Sequence, residues 1–150
     1  MRHQFLSLPA AVRGVITLAV LVGFAVMAGA GSEFRIVANL KVPATTLSRS
    51  DLARVFMKTT ATWSDGTPIV PVDQDRTSAV RDVFSRAIHN LDPDAVAARW
   101  QTLVFAGRGV PPTVKKSDAE VLELVRSTPG AIGYVSTDAA LQGVKAITVR

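Results

Sequence analysis

The stretch 68-PIVPVDQDRTSAVRDVFSRAI-88 changes its hydrophobic period part-way along, and that change decides the fold. Up to Asp73 it is a short apolar run rich in β-branched residues, which predicts a strand over 68–73. Beyond Thr77 the apolar residues recur at helical spacing. Val80, Val83, Phe84, Ala87 and Ile88 line one face, and Asp82 and Arg86 sit at i,i+4 on the other. A strand that turns through 73-DQDRTS-78 straight into a core-packing helix is the repeating unit of an α/β fold.

The same alternation continues outward in both directions. Upstream, 34-FRIVANL-40 predicts a strand closed by Pro43, and Ser48 with Asp51 three residues later marks a helix start that runs to about Lys58. The polar segment 59-TTATWSDGT-67, with Asp65-Gly66 as its turn signal, leads back to the opening strand. Downstream, Asp92 before Pro93 opens a helix with the stripe Val96, Trp100, Leu103 and Val104. The segment 106-AGRGVPPTVKK-116 reads as a loop, and Ser117 with Glu120 forms a capping box for a helix that ends near Pro129-Gly130. Strands 131-AIGYVS-136 and 144-VKAITV-149, with a helical turn around Asp138 to Leu141 between them, complete the chain. Short apolar strands alternating with helices predict a small, mostly parallel sheet covered on both faces.

The first 30 residues stand apart. Arg2, His3 and Arg13 form a basic leader, and the 17-residue apolar run 14-GVITLAVLVGFAVMAGA-30 ends in the small-x-small pattern Ala28-Gly29-Ala30. This is the pattern of an export signal cleaved after Ala30, which would place the protein in the periplasm or cell envelope. The other reading is an uncleaved anchor, although about half the run is Gly, Ala or Thr and a spanning helix needs about 20 strongly apolar residues. Residues 31–150 then form one domain, a size that suffices for a single core.

Charge and composition narrow the function. The net charge of +5 falls to +3 without the leader, because two of the 17 basic residues and none of the 12 acids lie within it. The basic residues are dispersed, which argues against a nucleic-acid partner. The absence of cysteine excludes disulfides and thiolate metal sites. With His3 and His89 the only histidines, a histidine metal site or a Ser-His-Asp triad has little to draw on. No paired acids have a spacing suited to general acid-base work. The expectation is a protein without a cofactor and without catalysis.

The strand-to-helix junction is the best candidate site, since ligands of open α/β sheets sit at the carboxyl ends of strands. The first backbone N–H groups of the helix lack partners within it, and its dipole adds partial positive charge. Thr77 and Ser78 can donate hydroxyls, and Arg76 and Arg81 can supply guanidinium forks for a tetrahedral oxyanion. The plainer reading is that Asp75 or Thr77 caps the helix, as nearly every helix start requires. Asp73 and Asp75 oppose a bare anion unless one of them accepts a hydrogen bond from a protonated ligand oxygen or orients an arginine. Trp63 and Trp100 read as packing residues, and Asp65 and Asp118 as turn and cap residues.

Beyond pattern, 47-LSRSDLARVF-56, 63-WSDG-66, 69-IVPVD-73, 78-SAVRDVF-84, 100-WQTLVFAGRGVPP-112 and 128-TPGAIGYV-135 resemble the second lobe of the phosphate-type substrate-binding proteins of ABC transporters. The resemblance implies one lobe of a type II periplasmic-binding-protein-like fold, with inorganic phosphate or a similar oxyanion as ligand, and carries over Ser78 and Arg81, which join Arg76 and Thr77 of the residue reading as the candidate contacts. The relatives carry a Ser-Gly-Thr run where this chain has Thr77-Ser78-Ala79, and a helix-ending glycine near Lys58-Thr59. The missing glycine at the junction removes backbone freedom for close approach.

Three or four charge-assisted contacts at about 1.5–3 kcal/mol each must offset an association cost of about 4–15 kcal/mol, so one lobe alone predicts millimolar affinity or weaker. Its protein partner would be a second lobe, a second copy closing face to face, or another envelope protein. The rival expectation is a ligand-free envelope interaction module built on the same lobe.

Overall fold

The computed structural model describes residues 33–150; the predicted leader and its cleavage point lie outside them. Six strands form one sheet: β1 (Phe34–Asn39), β2 (Thr46–Leu47), β3 (Val70–Gln74), β4 (Thr113–Lys115), β5 (Ala131–Ser136) and β6 (Val144–Val149), in the order β2-β6-β1-β5-β3-β4. The pairs β2–β6, β3–β5 and β3–β4 are parallel, while β1 is antiparallel to both β5 and β6. Only β1 therefore runs against the rest, and the mostly parallel α/β lobe holds.

Alternation along the central strands assigns side chains to two cores. Ile36 and Ala38 of β1 and Ile132 and Tyr134 of β5 face one side, where they meet Leu52 and Phe56 of α1 (Arg49–Phe56) and Phe84 of α2 (Ala79–Phe84). Val37, Ala131 and Val135 face the other and pack on Val121 and Val125 of α4 (Asp118–Ser127). Two glycines of the 128–135 motif make this packing possible. A Cβ on Gly130, whose φ is +79°, would lie 2.1 Å from the Pro68 carbonyl oxygen, and one on Gly133 would lie 2.8 Å from Val121 Cγ1.

The local signals act largely as expected. Ser48 and Asp51 form a reciprocal capping box on α1, and Asp92 caps α3 (Pro93–Phe105), accepting from Ala95 N at 2.8 Å. Lys58, just past the end of α1, adopts the left-handed conformation at φ 54°. Ser117 caps α4 through Glu120 N, but the Glu120 carboxylate reaches Lys116 N at 2.9 Å instead of closing the box on Ser117.

Four differences stand out. α2 continues as a π-helical turn, Ser85–His89. β2 and β4 are strands too short to carry a period, and 113–115 pairs with β3 where a loop was expected. Residues 138–141 pass from a turn at Asp138 through a bend into irregular chain, without a helix. Val104, placed on the buried stripe of α3, is 46% exposed, and α3 packs mainly on the π-helical turn.

Candidate functional site

Parallel pairing of β3 with β4 brings the starts of α2 and α4 to one edge of the sheet. Gln74, the last residue of β3, ties them together. Its Nε2 donates to Asp118 Oδ1 at 2.8 Å, and its Oε1 accepts from Ser78 Oγ at 2.8 Å. Asp118, expected as a simple cap residue, also accepts from the Ser136 amide at 3.2 Å and from its hydroxyl.

The four predicted site residues divide between surface and core. Thr77 donates its amide (3.0 Å) and hydroxyl (2.7 Å) to Asp75 Oδ1, an Asx-type turn that also holds the Asp75 carboxyl below its usual range. Ser78 is the α2 cap, its Oγ accepting from Arg81 N at 3.4 Å while donating to Gln74. Arg76 stays at the surface, its Nε 3.2 Å from Asp94 Oδ1. The shallow surface hollow around Arg76, Thr77 and Ser78 is bordered by Asp82, Asp92 and Asp94 against Arg76 and Arg86, so carboxylates outnumber guanidinium groups.

Arg81 corrects the expected geometry. It is 7% exposed and turns away from Thr77 into the protein, where Nη1 donates to the Gln74 carbonyl at 2.6 Å and Nη2 lies 3.0 Å from Asp73 Oδ2. The physical reason is position: Arg81 is the third residue of α2, on the same buried face as Val80 and Phe84. Asp73 Oδ1 accepts from Gln74 N at 2.8 Å and from the Tyr134 hydroxyl. Burial, and then the Asp73 carboxylate, push the Tyr134 hydroxyl far above its usual range, so it stays a donor. Tyr134 stacks on Phe84 at 3.9 Å between ring centroids, which fixes the network against the core. Arg81 Nε is buried and has no hydrogen-bond partner.

The Asp73–Arg81 pair forms one wall of a groove of about 320 Å³ between α3 and residues 111–114. Trp100, Val104, Phe105, Pro111, Pro112 and Val114 supply most of its apolar lining. Its rim is unusually apolar for a surface, with Phe105 89%, Val110 70% and Val114 50% exposed. Trp63, by contrast, is a packing residue as expected, its indole donating to the Gly130 carbonyl at 2.9 Å. Sequence reasoning missed the groove because its walls come from β3, α2, α3 and residues 111–114, which only the tertiary fold brings together; the signal available was the run of apolar residues through Val104 and Phe105 at the end of α3.

A family model of the PBP superfamily domain matches residues 27–148. The chain belongs to the PBP superfamily. Solved structures with the PBP fold include an ABC-type phosphate transport receptor from Vibrio cholerae (TM-score 0.61, 22% identity, covering 77% of this chain and 45% of the receptor). Another is a putative phosphate ABC transporter substrate-binding protein with bound phosphate from Clostridium perfringens (TM-score 0.60, 18% identity, 77% and 44% covered). A third is a possible phosphate-binding protein from Planctomyces limnophilus (TM-score 0.58, 17% identity, 78% and 41% covered). This PBP lobe thus spans less than half the length of those proteins. No curated protein sequence matches it significantly.

Proposed function

We propose that this PBP-superfamily lobe is an exported, non-catalytic binding protein whose recognition surface is the groove between α3 and β4. One observation carries the reading. The groups expected to cradle an oxyanion are spent within the protein, Arg81 on Asp73, Ser78 on Gln74 and Thr77 on Asp75, whereas the groove walls remain open. Its lining is mostly apolar, with Asp73, Arg81 and Gln101 as its polar side chains, the composition of a small-ligand site. Export rests on the leader pattern of residues 1–30. The test is a panel of small apolar fragments added to ¹⁵N-labelled protein. Amide shifts confined to α3 and residues 110–114 support the reading; an unresponsive groove ends it.

A second reading keeps the oxyanion, phosphate above all, at Arg76, Thr77 and Ser78. It is favoured by the junction's place at the carboxyl end of β3 and by the likeness of the lobe to phosphate receptors. The surrounding carboxylates oppose it. Amide hydrogen exchange at Ala79 and Val80, the junction amides nearest those residues, separates the readings: protection by millimolar phosphate supports this one, and unchanged exchange removes it. The ligand-free interaction module remains as the outcome in which neither fragments nor phosphate bind.

A further inference from the structure

We infer that the groove takes an extended peptide segment of another protein, which pairs with β4 as an added strand and sets one apolar side chain into the groove. This deepens the groove reading and rests on it. Two independent observations carry it. The first is the backbone at the sheet edge. β4 ends the strand order and pairs only with β3. Asp75 N donates to Lys115 O at 2.8 Å, so Lys115 turns its amide and carbonyl toward β3, and the preceding residue of a strand turns its own the opposite way. Val114 therefore directs both its N–H and its C=O out of the sheet, and neither is hydrogen-bonded among the described residues. An edge of this kind is a template for a further strand.

The second is the position of the groove beside that edge. The Val114 side chain lines it together with Trp100, Val104 and Phe105 of α3. In an antiparallel pair the residue opposite Val114 exchanges both hydrogen bonds with it and carries its side chain on the same face. The residue that satisfies the Val114 backbone is thus the one whose side chain enters the groove. A small apolar molecule would fill the groove and leave those two backbone groups to water. The edge is also narrow. Pro111 and Pro112 offer no N–H on one side of it, and on the other Lys116 N is held by Glu120 Oε2 at 2.9 Å. Pairing is confined to Val114, which fixes a register that a longer edge would leave free.

Two probes test this, the peptide acetyl-Thr-Thr-Phe-Thr-Thr-amide and the same peptide N-methylated at its phenylalanine, added to full-length ¹⁵N-labelled protein. The expected result is a saturable shift of the Trp100 indole N–H together with slowed exchange of the Val114 amide. N-methylation removes the donor to the Val114 carbonyl and should weaken binding about fivefold or more. Equal binding of the two peptides, with Val114 exchange unchanged, overturns strand addition but leaves the groove reading standing as a pocket for an apolar side chain. No response to either peptide also overturns strand addition, and a response to apolar fragments alone would then still support the groove. Protection of the Val114 amide in the free protein that grows with protein concentration would mean that two copies pair β4 to β4, and it overturns the peptide assignment.

Discussion

Arg81 Nη2 lies 3.0 Å from Asp73 Oδ2, with the two side chains only 8% and 11% exposed. This contact converts a residue expected to face a ligand into part of the core. Removing one member of a buried ion pair leaves an uncompensated charge, at about 3–5 kcal/mol. Arg81→Met should therefore lower stability by about that amount in urea denaturation. Arg81→Lys should recover only part of it, because an ammonium cannot bond Asp73 and the Gln74 carbonyl with one planar fork.

Two glycines with similar backbone angles should respond differently. Gly66 has φ +85° with nothing within 4 Å of an added Cβ, so Gly66→Ala carries backbone strain alone, about 1 kcal/mol. Gly130 has φ +79°, and its Cβ would press on the Pro68 carbonyl; strain and overpacking together predict about 2–4 kcal/mol for Gly130→Ala. Comparing denaturant midpoints of the two variants checks this.

His89 sets a mild acid sensitivity. It packs edge-on to Phe84 at 5.7 Å, and burial lowers its pKa below the ordinary 6.5. A folded-state pKa below the unfolded value means that the unfolded chain takes up the proton first. Stability is then full above about pH 6.5 and falls as the pH drops below it. Denaturation midpoints at pH 7.5 and 5.5 should show this loss in the wild type and a smaller one in His89→Gln.

Ser78 caps α2 and also donates to Gln74, so Ser78→Ala should cost about 1–2 kcal/mol in the absence of any ligand. Thermal unfolding in phosphate-free buffer is the check. A loss that appears only when phosphate is present would instead make Ser78 a ligand contact.

Much of the fold was legible in the sequence, because period and capping are local. The change of period at Asp73–Thr77, the Ser48 capping box and the Asp92-Pro93 start each depend on residues within a turn of one another. β2 and β4 were not, since strands of 2 and 3 residues are defined by the neighbour they pair with. At the site, sequence located the junction but not the direction of Arg81. Its spacing from Val80 and Phe84 puts it at the margin of the buried face, and only the place of Asp73 and Tyr134 on adjacent strands draws it in. The groove was hidden for the same reason: its walls come from β3, α2, α3 and residues 111–114, which meet only in the tertiary fold.

The central claim is that this lobe recognises its ligand in the groove and not at the start of α2. Calorimetric titration of the wild-type protein, Ser78→Ala and Phe105→Ser with inorganic phosphate and with small apolar fragments tests it most directly. The account predicts heat from the fragments that Phe105→Ser diminishes, and none from millimolar phosphate in any of the three proteins. Phosphate heat in the wild type that disappears in Ser78→Ala and persists in Phe105→Ser would contradict it.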